Sequence, residues 1–363
     1  MAKVMIYDKS TNIEDALKYL GTNLDLICTS LKSTEDIKGG YTLDAIFKVT
    51  KDGLHWQIKE ECYLKVLCDY GYELFYITKV VRNTSDIEVT ARQITIDICK
   101  GLWLENVRPT NLSGQNALNY ILSGSSGHKE GLELITSETY NSTAYYQYTN
   151  LEDALLNNDN AFITRWGNDN NLEVQRRGMT ITLNSFIGEN RDVEIKEAKN
   201  LTMYECDSNA DELYTIVRGV GFNGIRGEWV VSDYLDNHLI QKRTEIDYKV
   251  AKVGDTDQED YIYCNTETEV KNMLTILAKR EFTVNKIDEI QKSYRVLFSN
   301  IAKSDEYKYS IPQDIIYVGD IVRLIVKTQD VDTYIKVTER EYDHLRQKIT
   351  SMTLSNYNYI EGR

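Results

Sequence analysis

Apolar and polar residues alternate along much of this chain. Residues 41–49, YTLDAIFKV, follow the period of two expected for a half-buried strand. Residues 87–98, IEVTARQITIDI, alternate as well, but the phase slips. Ile87, Val89 and Ala91 share one parity, and Ile94, Ile96 and Ile98 share the other. A one-residue slip reverses the faces of a strand, so a bulge or sharp bend is expected at Arg92–Gln93.

Three segments carry helical spacing instead. In residues 266–282, TETEVKNMLTILAKREF, Thr266 and Glu269 form a capping box, and Val270, Met273, Leu274 and Leu277 line one face. Residues 114–123 follow Ser113 as a cap. Residues 150–158 start on Asn150, with Glu152 and Asp153 in the first turn. All three lie between strand-rich stretches.

One hairpin pattern is written twice. YLKVLCDYGYELFYITKV (63–80) and IVRLIVKTQDVDTYIKV (321–337) align without a gap, Tyr63 on Ile321 and Ile77 on Ile335. RQITI (92–96) has a shorter echo in RQKIT (346–350). Residues 63–77 and 321–335 are therefore expected to form equivalent hairpins. Within the first, Leu74, Tyr76 and Val80 have one parity, and Phe75 and Ile77 the other. A strand apolar on both faces suits an intermolecular interface or burial under an insert of its own chain.

A chain of 363 residues exceeds one ordinary core. No apolar run is long enough to span a membrane, and MAKVMIYDKS lacks the apolar stretch of a signal peptide. Six scattered cysteines are too sparse for a disulfide framework and fit synthesis in a reducing cytoplasm. The net charge of −14 is uneven. Residues 1–100 hold 13 basic and 15 acidic side chains, 101–232 hold 10 and 18, 233–269 hold 4 and 10, and 270–363 hold 15 and 13. The hairpin-bearing ends are near neutral and the middle is acidic, which argues against gripping a phosphate backbone.

Candidate chemistry is sparse. GVGFNG (219–224) matches a dinucleotide-binding spacing but leads into a second strand rather than the required helix, so the glycines mark a turn or a close backbone approach. DTDQED (255–260) begins like a calcium loop, yet Asp260 stands where glycine is needed and Thr266 where glutamate is needed. His55, Cys62 and Cys68 lack a fourth zinc ligand at finger spacing, and small buried hydrophobes are the alternative reading for the cysteines. The four histidines form no HExxH, and GSSGH (124–128) lacks the strand–elbow–helix setting of a nucleophile. No catalytic, cofactor or metal residue is assigned.

Several stretches together resemble a known family. DIKGGYTLDAIFKV (36–49), ELFYITKVVRNTSDIEVTARQITIDI (73–98), EAKNLTMYECDSNADELYTIVRGVG (197–221), YVGDIVRLIV (317–326) and IKVTEREYDHLRQKITSMTL (335–354) resemble, in order and spacing, the phage tail-associated hub proteins of the prophage endopeptidase tail family. The resemblance includes the Gly319-Asp320 pair and covers nearly the whole chain, with 101–195 and 233–284 matching loosely. It implies a mainly β fold with α+β inserts, in which each chain carries two similar tube-type β-barrels plus inserted domains. The expected layout is a first barrel at 1–100, an α+β insert at 101–195, a second barrel from 196–232 and 285–357, an acidic insert with a helix at 233–284, and a tail at 358–363. The sequence IEGR (360–363) resembles the recognition tetrapeptide of a clotting protease and is either native or an engineered scar.

The resemblance further implies a homotrimeric ring of pseudo-sixfold symmetry in a virion tail tip. Distal tail and tail-tube proteins would lie above and fibre or tip proteins below, with DNA passing through the channel without specific binding. Leu74, Phe75, Tyr76, Ile77, Val80, Tyr334, Ile335 and Val337 are the candidate interface residues. No cofactor is implied. Two other classes stay open: the N-terminal part of a tail-associated peptidoglycan hydrolase, and a host-surface carbohydrate-binding module, for which TAYYQYTN (143–150) offers exposed tyrosines.

Overall fold

A computed structural model describes residues 4–18, 26–129, 131–157, 160–167, 171–197, 199–256, 261–283, 285–298 and 316–356. Residues 257–260 of the acidic loop and the IEGR segment lie outside the described residues. The chain divides into two compact units, residues 1–206 with 293–363, and residues 207–292.

The first unit begins with β1 (Val4–Tyr7), α1 (Ile13–Lys18), β2 (Cys28–Asp36), β3 (Tyr41–Lys48), β4 (Tyr63–Cys68), β5 (Gly71–Arg82) and β6 (Asp86–Gln93). The strands pair antiparallel in the order β1-β4-β5-β6-β3-β2. The alternation in β3 is used as written: Tyr41, Leu43, Ala45 and Phe47 point into one core with Leu31, Leu64, Phe75, Ile77 and Val89.

The phase slip after Ala91 has a different cause from the one expected. The strand ends at Gln93 and α2 (Ile94–Gly101) begins, with the Gln93 side chain accepting from the Thr95 amide at 2.8 Å. Residues 94–98 are helical rather than strand, so Ile94 and Ile98 meet the next core at i, i+4 spacing. The register shift in this pair falls on β5, between Ile77 and Lys79. The echo of RQITI in RQKIT does not persist, because 346–350 closes a β-turn and opens a strand.

An α+β insert follows: β7 (Trp103–Val107), β8 (Leu112–Ser113), α3 (Gly114–Gly124), β9 (Glu133–Ile135), β10 (Asn141–Ser142), β11 (Tyr146–Asn150), α4 (Phe162–Arg165), β12 (Glu173–Arg177) and β13 (Thr180–Asn184). Its core gathers Leu118, Ile121, Tyr146, Leu155, Phe162 and Trp166, together with Ile13 and Ala16 of α1, Leu74 of β5 and Ile94 of α2. The helix expected at 114–123 forms, although Ser113 Oγ takes the Asn116 side chain rather than a backbone amide. Asn150 caps the next turn by accepting from the Asp153 amide at 2.9 Å. That turn is wound as a π-helix over Asp153–Asn157, and Asn158 lies outside the described residues.

β14 (Asn190–Lys196) and β15 (Leu201–Asn209) lead to the second unit. It holds β16 (Ile216–Val220), β17 (Val230–Val231), β18 (Arg243–Asp247), β19 (Val250–Lys252), β20 (Ile262–Cys264) and α5 (Glu267–Thr283). Its limits, 207 and 292, differ from the expected insert of 233–284, because β16 pairs with β17 and β18. The capping box of α5 forms. Thr266 Oγ1 accepts from the Glu269 amide at 3.2 Å, and the Glu269 carboxylate reaches one residue further back, to the Asn265 amide at 2.8 Å. Within GVGFNG, Gly219 and Gly221 mark the close backbone approach. A Cβ at Gly219 would lie 2.7 Å from the Leu274 carbonyl, and one at Gly221 2.7 Å from the Val250 carbonyl.

The chain then returns to the first unit with β21 (Gln291–Phe298), β22 (Ile321–Val326), β23 (Val331–Asp343) and β24 (Lys348–Asn356). These strands and β14 enclose a separate β core of Ile195, Val296, Val322, Leu324, Ile335, Val337 and Leu354. β23 pairs antiparallel with β2, joining both groups into one hydrogen-bonded sheet. The twice-written hairpins therefore stand in one sheet, three strands apart, each against its own core.

The hairpins differ at the tip. Cys68 opposes Gly71 in the first, whereas Val326 opposes Val331 in the second, leaving two more residues in the connection. Tyr63 opposes Tyr76, but Ile321 opposes Lys336. Phe75 and Ile335 thus hold equivalent positions, and the gap-free alignment is two residues out on the return strand. A shift of two keeps each side chain on its face, which is why both versions pack.

Gly319-Asp320 has a clear local role. Gly319 has φ 93°, and a Cβ there would lie 2.4 Å from the Ile187 carbonyl oxygen. Gly188, at φ 91°, faces it, with a built Cβ 2.3 Å from the Gly319 carbonyl carbon. Asp320 clamps the crossing by accepting from the Glu189 and Tyr317 amides, each at 2.8 Å. Gly319→Ala should therefore cost at least ~2 kcal/mol in urea unfolding, from left-handed strain and overpacking together. Gly101→Ala, where nothing lies within 4 Å, is the near-neutral control.

Candidate functional site

The most unusual chemistry of the first unit is a buried polar seam where β2 meets β23. Register places Ser33 opposite Tyr342 and Glu35 opposite Arg340. Arg340, 4% exposed, binds Asp69 at the tip of the first hairpin and lies 4.6 Å from the Tyr342 ring and 5.3 Å from that of Tyr317. Arg177, at the end of β12, places its two terminal nitrogens on the two Glu35 oxygens at 2.5 and 3.3 Å and stacks 4.1 Å from the Tyr70 ring. Burial opposes the charge of Arg177, but Glu35 and the neighbouring tyrosines raise its pKa and keep it protonated.

The β12–β13 hairpin carries the seam into the insert. Glu73 is fully buried and accepts from the Gly178 amide at 2.9 Å, from Gln93 at 3.1 Å and from the Tyr70 hydroxyl at 3.1 Å. Burial raises its pKa, and these donors offset part of that rise. Arg176, 1% exposed, spans three elements: it donates to Glu152 at 2.8 and 3.0 Å, to the Gly39 carbonyl at 2.7 Å and to Thr95 at 3.0 Å. Lys336 pairs with Glu173 beneath the Phe186 ring. Every one of these cations is held by a carboxylate, as burial demands.

His344 closes the seam. A carbonyl can only accept, so Nδ1–H donates to Leu67 at 3.3 Å, and Nε2 accepts from the Ser33 hydroxyl at 2.8 Å. Burial pushes its pKa down to about 4. This polar network is a structural clamp. It joins strands, hairpin tip and insert, and its one hydroxyl–imidazole pair, Ser33 with His344, is sealed from solvent at 4% and 1% exposure.

The residues singled out in the sequence lie elsewhere. Phe75 and Ile77 are sealed in the first β core, Ile335 and Val337 in the second, and Leu74 in the core of the insert. All five are fully buried by their own chain, so none is available to a partner. Tyr76 packs against the insert core and Val80 is half-buried at the edge of the first. Tyr334 is 41% exposed. The two-faced apolar strand is thus explained by an insert on one side and a β core on the other. His55 Nδ1 accepts from the Thr50 amide at 3.2 Å, while Cys62 and Cys68 are buried. No group of three or more His, Cys, Asp or Glu that could hold a metal occurs among the described residues, and no helix there is long and apolar enough to cross a membrane. Sequence reasoning missed the seam, although Glu35, Glu73, Lys336 and Arg340 are charged residues on inward-facing strand positions, the one available signal.

Two outcomes test the clamp. Glu152→Leu should lose about 3–5 kcal/mol of stability by stranding Arg176, and the double change Glu152→Leu/Arg176→Met should recover part of it. The second concerns pH. The unfolded chain takes up a proton near pH 6.5, which folded His344 accepts only near 4. Its contribution is therefore complete above pH 6.5 and is lost as pH falls from 6.5 towards 4. His344→Gln should remove about 3 kcal/mol of that pH dependence, read as the difference between the two proteins' denaturation midpoints across this window.

No protein-family model and no curated protein sequence matches the chain. Solved structures do. A tail protein from Neisseria meningitidis MC58 aligns with TM-score 0.61 at 8% identity, covering 98% of this chain and 96% of that one. A prophage tail protein from Listeria monocytogenes EGD-e aligns with TM-score 0.58 at 11% identity over 91% and 89%. The 43 kDa tail protein of prophage MuSo2 from Shewanella oneidensis gives TM-score 0.58 at 11% identity over 91% and 97%. The chain has the fold of phage tail proteins.

Proposed function

We propose that the chain is a structural hub of a phage or phage-derived tail tip. Three copies form a ring, each supplying two tube-type barrels, so that a threefold assembly meets a sixfold tail tube. The observation that carries this reading is the duplication: hairpins β4–β5 and β22–β23 occupy equivalent positions against separate β cores of one continuous sheet. The fold likeness to tail proteins over nearly the full chain supports it. Tail-tube and distal tail proteins lie above the ring, fibre or tip proteins below, and DNA passes through it. The acidic excess of residues 101–269 holds phosphates off the wall where it lines the channel, since the effect fades beyond a Debye length of roughly 8 Å.

Ring contacts fall on surfaces left open in one chain. β15 has exposed side chains along most of its length and closes one end of the sheet order. Such an edge needs a partner or a cover. Tyr334 and Val80 contribute from the strands picked out by the sequence. The role is mechanical, and the buried charged groups serve packing.

Mass measurement on the assembled particle should give three copies per ring, and a stable dimer or tetramer overturns the symmetry. The purified chain should release no muropeptides from cell walls; release abolished by changing one acidic residue establishes the hydrolase alternative instead.

A further inference from the structure

The second unit presents a site that the hub role does not use. In the sheet β17-β16-β18, one face is covered by α5, whose Val270, Leu274 and Ala278 are buried and whose backbone touches Gly219. The other face carries Ile216 and Val220, both buried, beneath charged side chains. Parallel register puts Arg218 beside Glu245 and Ile216 beside Arg243, so both arginines stand on that face, Arg218 half-buried and Arg243 exposed. Trp229 lies across from them, 38% exposed, with the Arg218 guanidinium 4.3 Å and the Arg243 guanidinium 5.8 Å from its ring. Arg226 reaches the same place and donates to both Glu245 oxygens at 3.1 and 3.3 Å, while Arg218 shares the Oε1 that Arg226 Nε also meets.

We propose that this arginine–tryptophan face is a docking site for an acidic protein segment, a stretch of extended chain bearing two or three carboxylates. Glu245 already demonstrates the chemistry, because one carboxylate there receives the Arg226 fork and one nitrogen of Arg218. Arg243 is exposed on the same face, with the indole as its neighbour and no carboxylate among the described residues. Arg218 Nε is shielded from water and has no hydrogen-bond partner. Asp247 shares the face, so three arginines confront two carboxylates in a unit that is otherwise acidic. This local excess of cations is complementary to a few carboxylates, whereas a densely charged polyphosphate meets repulsion from the rest of the unit. Trp229 adds the flat apolar contact on which such an anchor is built. The site stands whether or not three copies form a ring.

The test is fluorescence polarisation with the full chain at low salt. The probe is a labelled hexaglutamate peptide, with hexalysine and a twelve-nucleotide oligothymidine as comparisons. Hexaglutamate should bind and weaken as salt rises. Arg243→Gln, which removes no ion pair among the described residues, should reduce its affinity tenfold or more, as should Trp229→Ala. Arg295→Gln, in the other unit, should leave it unchanged. Absence of hexaglutamate binding, binding indifferent to Arg243→Gln, or tighter binding of oligothymidine each overturns the proposal, the last in favour of a nucleic-acid face.

Discussion

The structure of the first unit depends on charge buried at a strand pairing. β2 and β23 come from opposite ends of the chain, and their register sets Glu35 against Arg340. Taking an arginine out of water costs several kcal/mol unless a carboxylate and further donors or acceptors meet it. Asp69 meets Arg340, Glu35 meets Arg177, and Glu152 meets Arg176. A one-residue slip of β23 would send Arg340 to the opposite face and leave Asp69 stranded. The seam therefore contributes a single register more than it contributes net stability, which the three apolar cores supply.

That register has a consequence for how the unit bears load. The two β cores share one hydrogen-bonded sheet, so force on one is carried to the other through backbone pairing across β2 and β23. The β12–β13 hairpin braces the same place from the side, with Arg176 spanning Gly39, Thr95 and Glu152 and with Gly178 donating to Glu73. A polar clamp of this kind is directional, and it resists sliding where purely apolar contacts would permit repacking. Such stiffness suits the hub role proposed above.

The sequence by itself determined the local elements. Alternation in 41–48 and the capped period of 266–282 depend only on neighbours within a few residues, and both formed as written. The duplicated hairpin was also legible, because the apolar rhythm of β4 and β22 reports which face each strand buries. Gly319-Asp320 stood out only through the family resemblance, and its role as a clamp on the Glu189 and Tyr317 amides came from the fold.

Only the tertiary structure decided the rest. The slip at Ala91 to Ile94 admits a bulge or a strand-to-helix change, and the insert core that Ile94 and Ile98 enter settles which. The two-residue difference between hairpin tips is invisible to a gap-free alignment, because an even shift preserves every face. Leu74, Phe75 and Ile77 were apolar on both sides of β5 for a reason lying a hundred residues away, in the insert that covers one face. The seam escaped for the same reason. A buried charge is stable only beside its counter-charge, and Arg340 finds Asp69 across 271 residues of sequence. Patterning encodes burial over a few residues, whereas the partner that makes buried charge tolerable is fixed by the way the chain folds back.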